Sequence, residues 1–71
     1  MKILIIEDER KLSDSIVAYL SGEKYLCEQA FTYTDARMKV NLYEYDCILL
    51  DLMLPGGNGL DLLHEIRKQR N

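Results

Sequence analysis

The sequence predicts an α/β fold in three layers, with a parallel sheet between helices and the element order β-α-β-α-β-α. Two short runs, residues 3–6 and 47–50, are continuously apolar, as is typical of strands buried on both faces of a parallel sheet. Segments with apolar residues at helical spacing lie between and after these runs. The connections are short and no linker or repeat interrupts them, so we expect one structural unit with right-handed crossovers.

The first helix is predicted to begin after three consecutive acidic residues at positions 7–9. Ser21-Gly22 is expected to end this helix, because glycine tolerates the left-handed conformation of a C-terminal cap. Residues 25–30 are more mixed in polarity and predict a second strand at an edge of the sheet. The core-facing stripe predicted for the first helix comprises Leu12, Ile16, Tyr19 and Leu20.

Two further helices are predicted from caps and apolar spacing. Thr34 is expected to cap a short second helix, in which Ala36 and Val40 share one face. A loop over residues 52–57 follows the third strand, and Asn58 is expected to cap the third helix. The third helix is predicted to carry Asp61 near its positive end and a stripe of Leu60, Leu63 and either Ile66 or Arg67. Basic residues Arg67, Lys68 and Arg70 suit its negative end.

The composition indicates a small cytoplasmic protein. A chain of 71 residues buries only about 60% of its unfolded surface, so its stability is expected to be marginal. The net charge of −3 argues against strong non-specific binding of nucleic acid. Cys27 and Cys47 each lie in an apolar run, and we expect both to be reduced and buried. The N-terminal apolar run is too short for a signal peptide, and no run approaches the length of a membrane span.

Acidic residues follow the two most apolar strands. Glu7 and Asp8 come after the first, and Asp51 comes after the third. Ligands of open α/β sheets bind outside the carboxyl ends of the strands, where Asp8 and Asp51 would meet if these strands are neighbours. Clustered carboxylates either take up protons or share a cation, and their hard oxygens favour Mg²⁺. A carboxylate can also act as a nucleophile toward a phosphoryl group. Helix capping is the alternative for each acid, and for Glu9 we expect capping or plain solvation.

The stretches at positions 3–9 and 45–59 together carry a family resemblance. Their acidic pair and the Asp-x-x-x-Pro-x-x-x-Gly run from Asp51 to Gly59 resemble the receiver domain of bacterial two-component response regulators. The resemblance implies a flavodoxin-like (CheY-like) sheet with strand order 2-1-3-4-5.

Roles for particular residues follow from this resemblance. It implies that Asp51 accepts a phosphoryl group from a sensor histidine kinase in a Mg²⁺-dependent reaction. It also implies that Asp51 and Asp8 bind Mg²⁺ directly, Glu7 through water and Met53 through its backbone carbonyl. The sequence after Asp51 is most similar to that of regulators whose effector domain is a winged-helix DNA-binding domain. DNA would therefore be contacted only through an effector domain outside these residues.

The resemblance extends over all 71 residues but covers three of the family's five β-α units. Residues 1–71 are therefore expected to form a partial receiver domain in which the fourth and fifth units are absent. The family's switch Ser/Thr and its phosphoryl-pairing lysine belong to those units. Lys39 and Lys68 lie on predicted helices and are expected to be solvated, so neither inherits the role. We expect phosphorylation of this chain to be impaired as a result.

A second function is kept open, in which the chain is a non-catalytic half-domain that associates with itself. The third strand would lack its neighbour, and residues 47–50 contain no lysine or proline that would discourage pairing with another chain. A homo-oligomer is therefore expected.

Two other readings are set aside. The glycine-rich stretch 56–59 has neither the lysine of a P-loop nor the G-x-G-x-x-G pattern. Phosphatases that form an aspartyl-phosphate are expected to carry a second acid two residues after the nucleophile, where Met53 stands.

Overall fold

The structure is a computed structural model that describes residues 1–69. The predicted order β-α-β-α-β-α is confirmed. Its elements are β1 (Lys2–Ile6), α1 (Arg10–Gly22), β2 (Leu26–Ala30), α2 (Tyr33–Leu42), β3 (Cys47–Leu50) and α3 (Gly59–Gln69). Arg70, expected at the negative end of α3, lies outside the described residues. Within residues 1–69, no helix has both the length and the apolar character needed to cross a membrane.

The sheet has the strand order β2-β1-β3 and is parallel throughout, as the flavodoxin-like order predicts. The central strand β1 pairs Ile6 with Ala30 of β2 on one side and with Leu50 of β3 on the other. The carboxyl ends of all three strands therefore lie at one edge of the sheet. Among the described strands, β3 pairs with β1 alone.

The two faces of β1 bury different residues, because successive side chains of a strand point to opposite sides. Leu4 and Ile6 belong to the main core, which lies between the sheet and the α2–α3 pair. Ile3 and Ile5 are also buried and face the opposite side, where α1 contacts β1 and β2. The three-layer arrangement is thus confirmed. The remaining core residues are Ala30, Ala36, Val40, Tyr45, Leu54, Leu62 and Ile66.

The predicted stripe of α1 was partly wrong. Leu12 and Tyr19 are 47% and 71% exposed, whereas Ser13 is fully buried. The small Ser13 side chain allows α1 to lie close to the sheet, and its hydroxyl oxygen accepts a hydrogen bond from Gln29 Nε2 at 2.9 Å. The helix also runs through Gly22, and the left-handed residue is Lys24 (φ 69°).

The other helices differ from prediction by a few residues. Thr32, not Thr34, caps α2, since its Oγ1 accepts a hydrogen bond from the Asp35 N–H at 3.1 Å. The Asn58 cap of α3 is confirmed by the Leu60 N–H, which donates to Asn58 Oδ1 at 2.8 Å. Leu60 itself is 52% exposed, and the buried stripe of α3 is formed by Leu62 and Ile66. The second strand begins one residue later than predicted.

Lys39 is not simply solvated, in contrast to the sequence-based expectation. Its ammonium group donates to the Gln29 carbonyl and lies 3.2 Å from Asp35 Oδ2. The Ala30 carbonyl accepts a hydrogen bond from the Glu7 N–H and therefore points toward β1. Successive carbonyl groups of a strand point to opposite sides, so the Gln29 carbonyl points to the outer edge of β2. Lys39 therefore occupies an edge acceptor that another strand would need.

Both cysteines are free thiols, as expected, but they are half-buried rather than buried. Cys27 and Cys47 pair with Ile3 from opposite sides, so two strand spacings separate them. This distance of about 10 Å is too long for a disulfide, whose Cα atoms lie within about 7 Å.

Candidate metal centre

Backbone hydrogen bonds bring the acidic ends of β1 and β3 together. The Asp51 N–H donates to the Ile6 carbonyl at 2.9 Å and joins the end of β3 to the end of β1. On the other side of β1, the Glu7 N–H donates to the Ala30 carbonyl of β2 at 3.0 Å. Carboxylate oxygens of Glu7, Asp8 and Asp51 all lie within 4.8 Å of one another. Three of the residues singled out from the sequence thus meet at the carboxyl edge of the sheet.

The cluster lies at the boundary between solvent and an apolar groove. Glu7 and Asp51 are half-buried, whereas Asp8 is exposed. Both half-buried acids line a groove of about 350 Å³, whose other walls include Ile5, Ile16 and Leu49. Apolar walls lower the local dielectric constant, so charge interactions at the inner side of the cluster are stronger than in water.

Burial and the neighbouring carboxyl groups both act on the pKa of Glu7. The Glu9 N–H donates to Glu7 Oε2 at 2.9 Å and by itself lowers the Glu7 pKa. Partial burial and the carboxyl groups of Asp8 and Asp51 act in the opposite direction and raise the Glu7 pKa above its ordinary value. A cation at this position would relieve the repulsion. An all-oxygen set with several carboxylates fits Mg²⁺ better than a softer metal.

Glu9 does not join the cluster and acts as the N-cap of α1. Its side chain accepts hydrogen bonds from the N–H groups of Lys11 at 3.2 Å and Leu12 at 3.0 Å. A carboxylate there satisfies two free donors and interacts favourably with the positive end of the helix. The capping alternative was therefore correct for Glu9.

Met53 is linked to Asp51 by a bond that sequence reasoning missed. The Met53 N–H donates to Asp51 Oδ1 at 3.0 Å, which is the geometry of an Asx turn. This bond restrains one oxygen of the Asp51 carboxylate. An aspartate followed by a loop is a sequence signal that could have predicted it. The Met53 side chain is 84% exposed.

The structure explains why the Asp-x-x-x-Pro-x-x-x-Gly run ends in glycine, at Gly59. A Cβ atom at this residue would lie 2.5 Å from the Cα and carbonyl oxygen of Leu52. Only glycine therefore allows α3 to begin directly against the backbone that follows Asp51.

Arg10 is a second feature that the sequence did not predict. Its guanidinium carbon lies 4.0 Å from the centroid of the Phe31 ring, which is cation–π geometry. Arg10 begins α1 and Phe31 follows β2, so this cation lies at the same edge of the sheet as the acids. The two residues are 21 positions apart, and no local pattern connects them.

A parallel sheet of this order, with an acidic cluster where its central strands end, is the architecture of a signalling receiver module. Comparison with known families agrees, because the model of the response regulator receiver domain matches residues 3–71. The chain belongs to the response regulator receiver domain family.

Two curated relatives resemble the chain over nearly all of its length. The chain is 38% identical over 66 residues to regulatory protein VanR of Enterococcus faecium, covering 93% of this chain and 29% of VanR. It is 39% identical over 70 residues to response regulator ArlR of Staphylococcus aureus, covering 99% of this chain and 32% of ArlR. The chain thus spans about a third of the length of these relatives.

Solved structures agree with the fold. Response regulator TrrA from Thermotoga maritima, in complex with Mg²⁺-BeF, is 32% identical with a TM-score of 0.90. The alignment covers 97% of this chain and 60% of TrrA. The receiver domain of Francisella response regulator 1452 is 30% identical with a TM-score of 0.89, covering 97% of this chain and 57% of that domain.

Proposed function

We propose that this chain is the phosphoacceptor part of a two-component response regulator, in which Asp51 accepts a phosphoryl group from a sensor histidine kinase. The observation that carries the proposal is the meeting of Glu7, Asp8 and Asp51 within 4.8 Å at the carboxyl edge of a receiver fold. The chain is not an enzyme in the usual sense, because it assists its own modification.

Each residue of the proposed site has a separate role. Asp51 is the nucleophile, and its bond from the Met53 N–H restrains the carboxylate. Asp8 and Asp51 would hold Mg²⁺ directly, Met53 through its carbonyl and Glu7 through water. When bound, Mg²⁺ supplies positive charge that offsets the phosphoryl oxygens. The Mg²⁺-BeF complex of TrrA, at 32% identity, supports this choice of metal.

The cellular setting follows from the same family. We propose that residues 1–71 form the first three β-α units of a receiver domain, in a cytoplasmic transcription regulator. DNA would be bound by a winged-helix effector domain rather than by these residues, whose net charge is −3. The similarity to VanR and ArlR, which are about three times longer, supports this setting.

The proposal is tested by labelling with a small phosphodonor, acetyl phosphate, in the presence of Mg²⁺. Peptide mass spectrometry should place the label on Asp51, and Asp51→Asn should abolish it. Asp61→Asn is the matched control, because Asp61 is an exposed aspartate of α3 that does not belong to the cluster of three acids. Slow labelling is expected, since no lysine of this chain inherits the role of the phosphoryl-pairing cation. A label that persists in Asp51→Asn would refute the assignment.

A second candidate function is self-association of the 71-residue chain through β3. Two observations favour it: β3 pairs only with β1 among the described strands, and Leu49 on this strand is 41% exposed. The opposite edge of the sheet, at β2, is different, because the Lys39 ammonium group already donates a hydrogen bond to the Gln29 carbonyl. A homo-oligomer in which β3 meets its symmetry mate would bury Leu49 and satisfy the edge.

Sedimentation of matched leucine variants tests this second function. Leu49→Lys should shift the chain toward monomer, because a charge would enter the proposed interface. Leu26→Lys should not, since Leu26 lies on β2 and is already 69% exposed. A wild-type chain that remains a folded monomer over a wide concentration range would contradict self-association.

A further inference from the structure

Tyr33, the first residue of α2, touches the loop between β3 and α3 through its backbone. Its N–H donates to the Pro55 carbonyl at 3.2 Å. N–H groups in the first turn of a helix have no acceptor within the helix. The loop that follows Asp51 therefore supplies an acceptor for the start of α2.

The Tyr33 ring makes a second contact with the same loop, at Gly57. A Cβ atom at residue 57 would lie closer than 3.0 Å to three carbons of the ring. The ring thus lies directly against the glycine backbone, in the volume that any other side chain would enter. Tyr33 is only half-exposed and packs against the main core, so the ring has little freedom to move away.

These two contacts restrain the segment that carries two of the proposed metal ligands, Asp51 and Met53. The loop begins at Asp51, whose carboxylate accepts from the Met53 N–H. Leu54 anchors the middle of the loop in the core, being only 6% exposed. Pro55 and Gly57 are then held by Tyr33. Met53 lies between Asp51 and these anchors, so a shift of the anchored residues would displace its carbonyl.

We infer that Tyr33 is a positioning residue for the metal centre: through Pro55 and Gly57 it holds the loop so that the Met53 carbonyl and Asp51 share one cation. The inference rests on the proposed function, because it assumes that these groups bind Mg²⁺. Tyr33 and Gly57 act as a matched pair, because the large ring fits against the loop only if residue 57 has no side chain.

Mg²⁺ titrations monitored by NMR test whether Tyr33 and Gly57 support metal binding. Tyr33→Ala and Gly57→Ala should each weaken Mg²⁺ affinity by about tenfold, the lower end of the range for residues that support metal ligands. Tyr33→Phe should retain the wild-type affinity, because the ring remains. In the double variant, Gly57→Ala should add no loss to Tyr33→Ala, since its Cβ no longer meets a ring. Tyr19→Ala is the control, as Tyr19 is 71% exposed on α1.

A measurement without metal separates positioning from general stability. Hydrogen exchange at the Met53 amide should become faster in Tyr33→Ala, relative to the amides of β1, because the Met53–Asp51 bond loses its support. Gly57→Ala should give the same result and provides a second route if Tyr33→Ala does not fold. Unchanged Mg²⁺ affinity in a folded Tyr33→Ala or Gly57→Ala, with affinity lost in Asp8→Asn, would overturn the inference alone. A wild-type chain without Mg²⁺ affinity would overturn the proposed function and this inference together.

Discussion

Tyr45, two residues before β3, donates its hydroxyl hydrogen to Glu28 Oε1 at 2.8 Å and so joins the segment that leads into β3 to the middle of β2. Lys2 completes the group, because its Nζ lies 3.0 Å from Glu28 Oε2 and 5.2 Å from the centroid of the Tyr45 ring. The bond from Tyr45, followed by the pairing with Lys2, lowers the pKa of Glu28 below its ordinary value. This polar group links β1 and β2 to the segment that precedes β3, and it contains none of the three acids of the candidate metal centre.

The lowered Glu28 pKa predicts a dependence of stability on pH. An acid whose pKa is lower in the folded state adds stability above its unfolded pKa, here about 4.5, and that stability is lost as the pH falls through the folded pKa. Glu28→Gln should therefore lose less stability than wild type between about pH 5 and pH 3. Urea unfolding across this range is the measurement. Glu44→Gln, at an exposed position, should follow the wild-type profile.

Tyr45→Phe should separate the hydroxyl from the buried ring. Loss of one hydrogen bond is expected to lower the free energy of unfolding by about 0.5–1.5 kcal/mol at neutral pH. Burial, followed by the bond to Glu28, raises the pKa of Tyr45, so wild type should lose stability as the pH rises above about 10. Tyr45→Phe should lose less in that range. Equal alkaline profiles for the two proteins in urea unfolding would contradict this account.

Leu62→Ala should test the core between α3 and the sheet. Leu62 is fully buried, and removing its side chain is expected to cost about 2–5 kcal/mol through lost burial and the cavity left behind. A chain this small could then be largely unfolded at 25 °C, which circular dichroism would detect. Leu60→Ala is the matched control on the same helix, where the side chain is 52% exposed. A large loss in Leu60→Ala would mean that the stripe of α3 is assigned incorrectly.

Asp8→Asn should have opposite effects with and without metal. Removal of a proposed direct ligand is expected to weaken Mg²⁺ affinity by at least about tenfold, since even supporting residues have effects of this size. Without Mg²⁺, the same change should stabilise the fold, because one of three repelling carboxylates is gone. Thermal unfolding with and without Mg²⁺ measures both effects. Equal Mg²⁺ affinity in wild type and Asp8→Asn would remove Asp8 from the site.

The element order and the position of the acids were predictable from the sequence. Continuous apolar runs at residues 3–6 and 47–50 predicted two of the strands, which the structure shows to be the neighbours β1 and β3. Asn58 identified the start of α3, because its amide oxygen accepts locally from the Leu60 N–H. Strand runs and helix caps depend on residues that are close in the sequence, so the local pattern of residue types is sufficient to predict them.

Tertiary structure alone decided which side of each helix is buried and what holds the loop after Asp51. Leu12 and Leu60 fitted the predicted stripes, yet the sheet buries Ser13 and Leu62 instead. One step along a helix turns a side chain by about 100°, so several faces fit the same spacing until a partner surface selects one. The bond from Gln29 to Ser13 and the packing of Tyr33 on Gly57 join residues 16 and 24 positions apart. Contacts at such separations exist only after the strands have paired, because pairing is what brings the segments within reach.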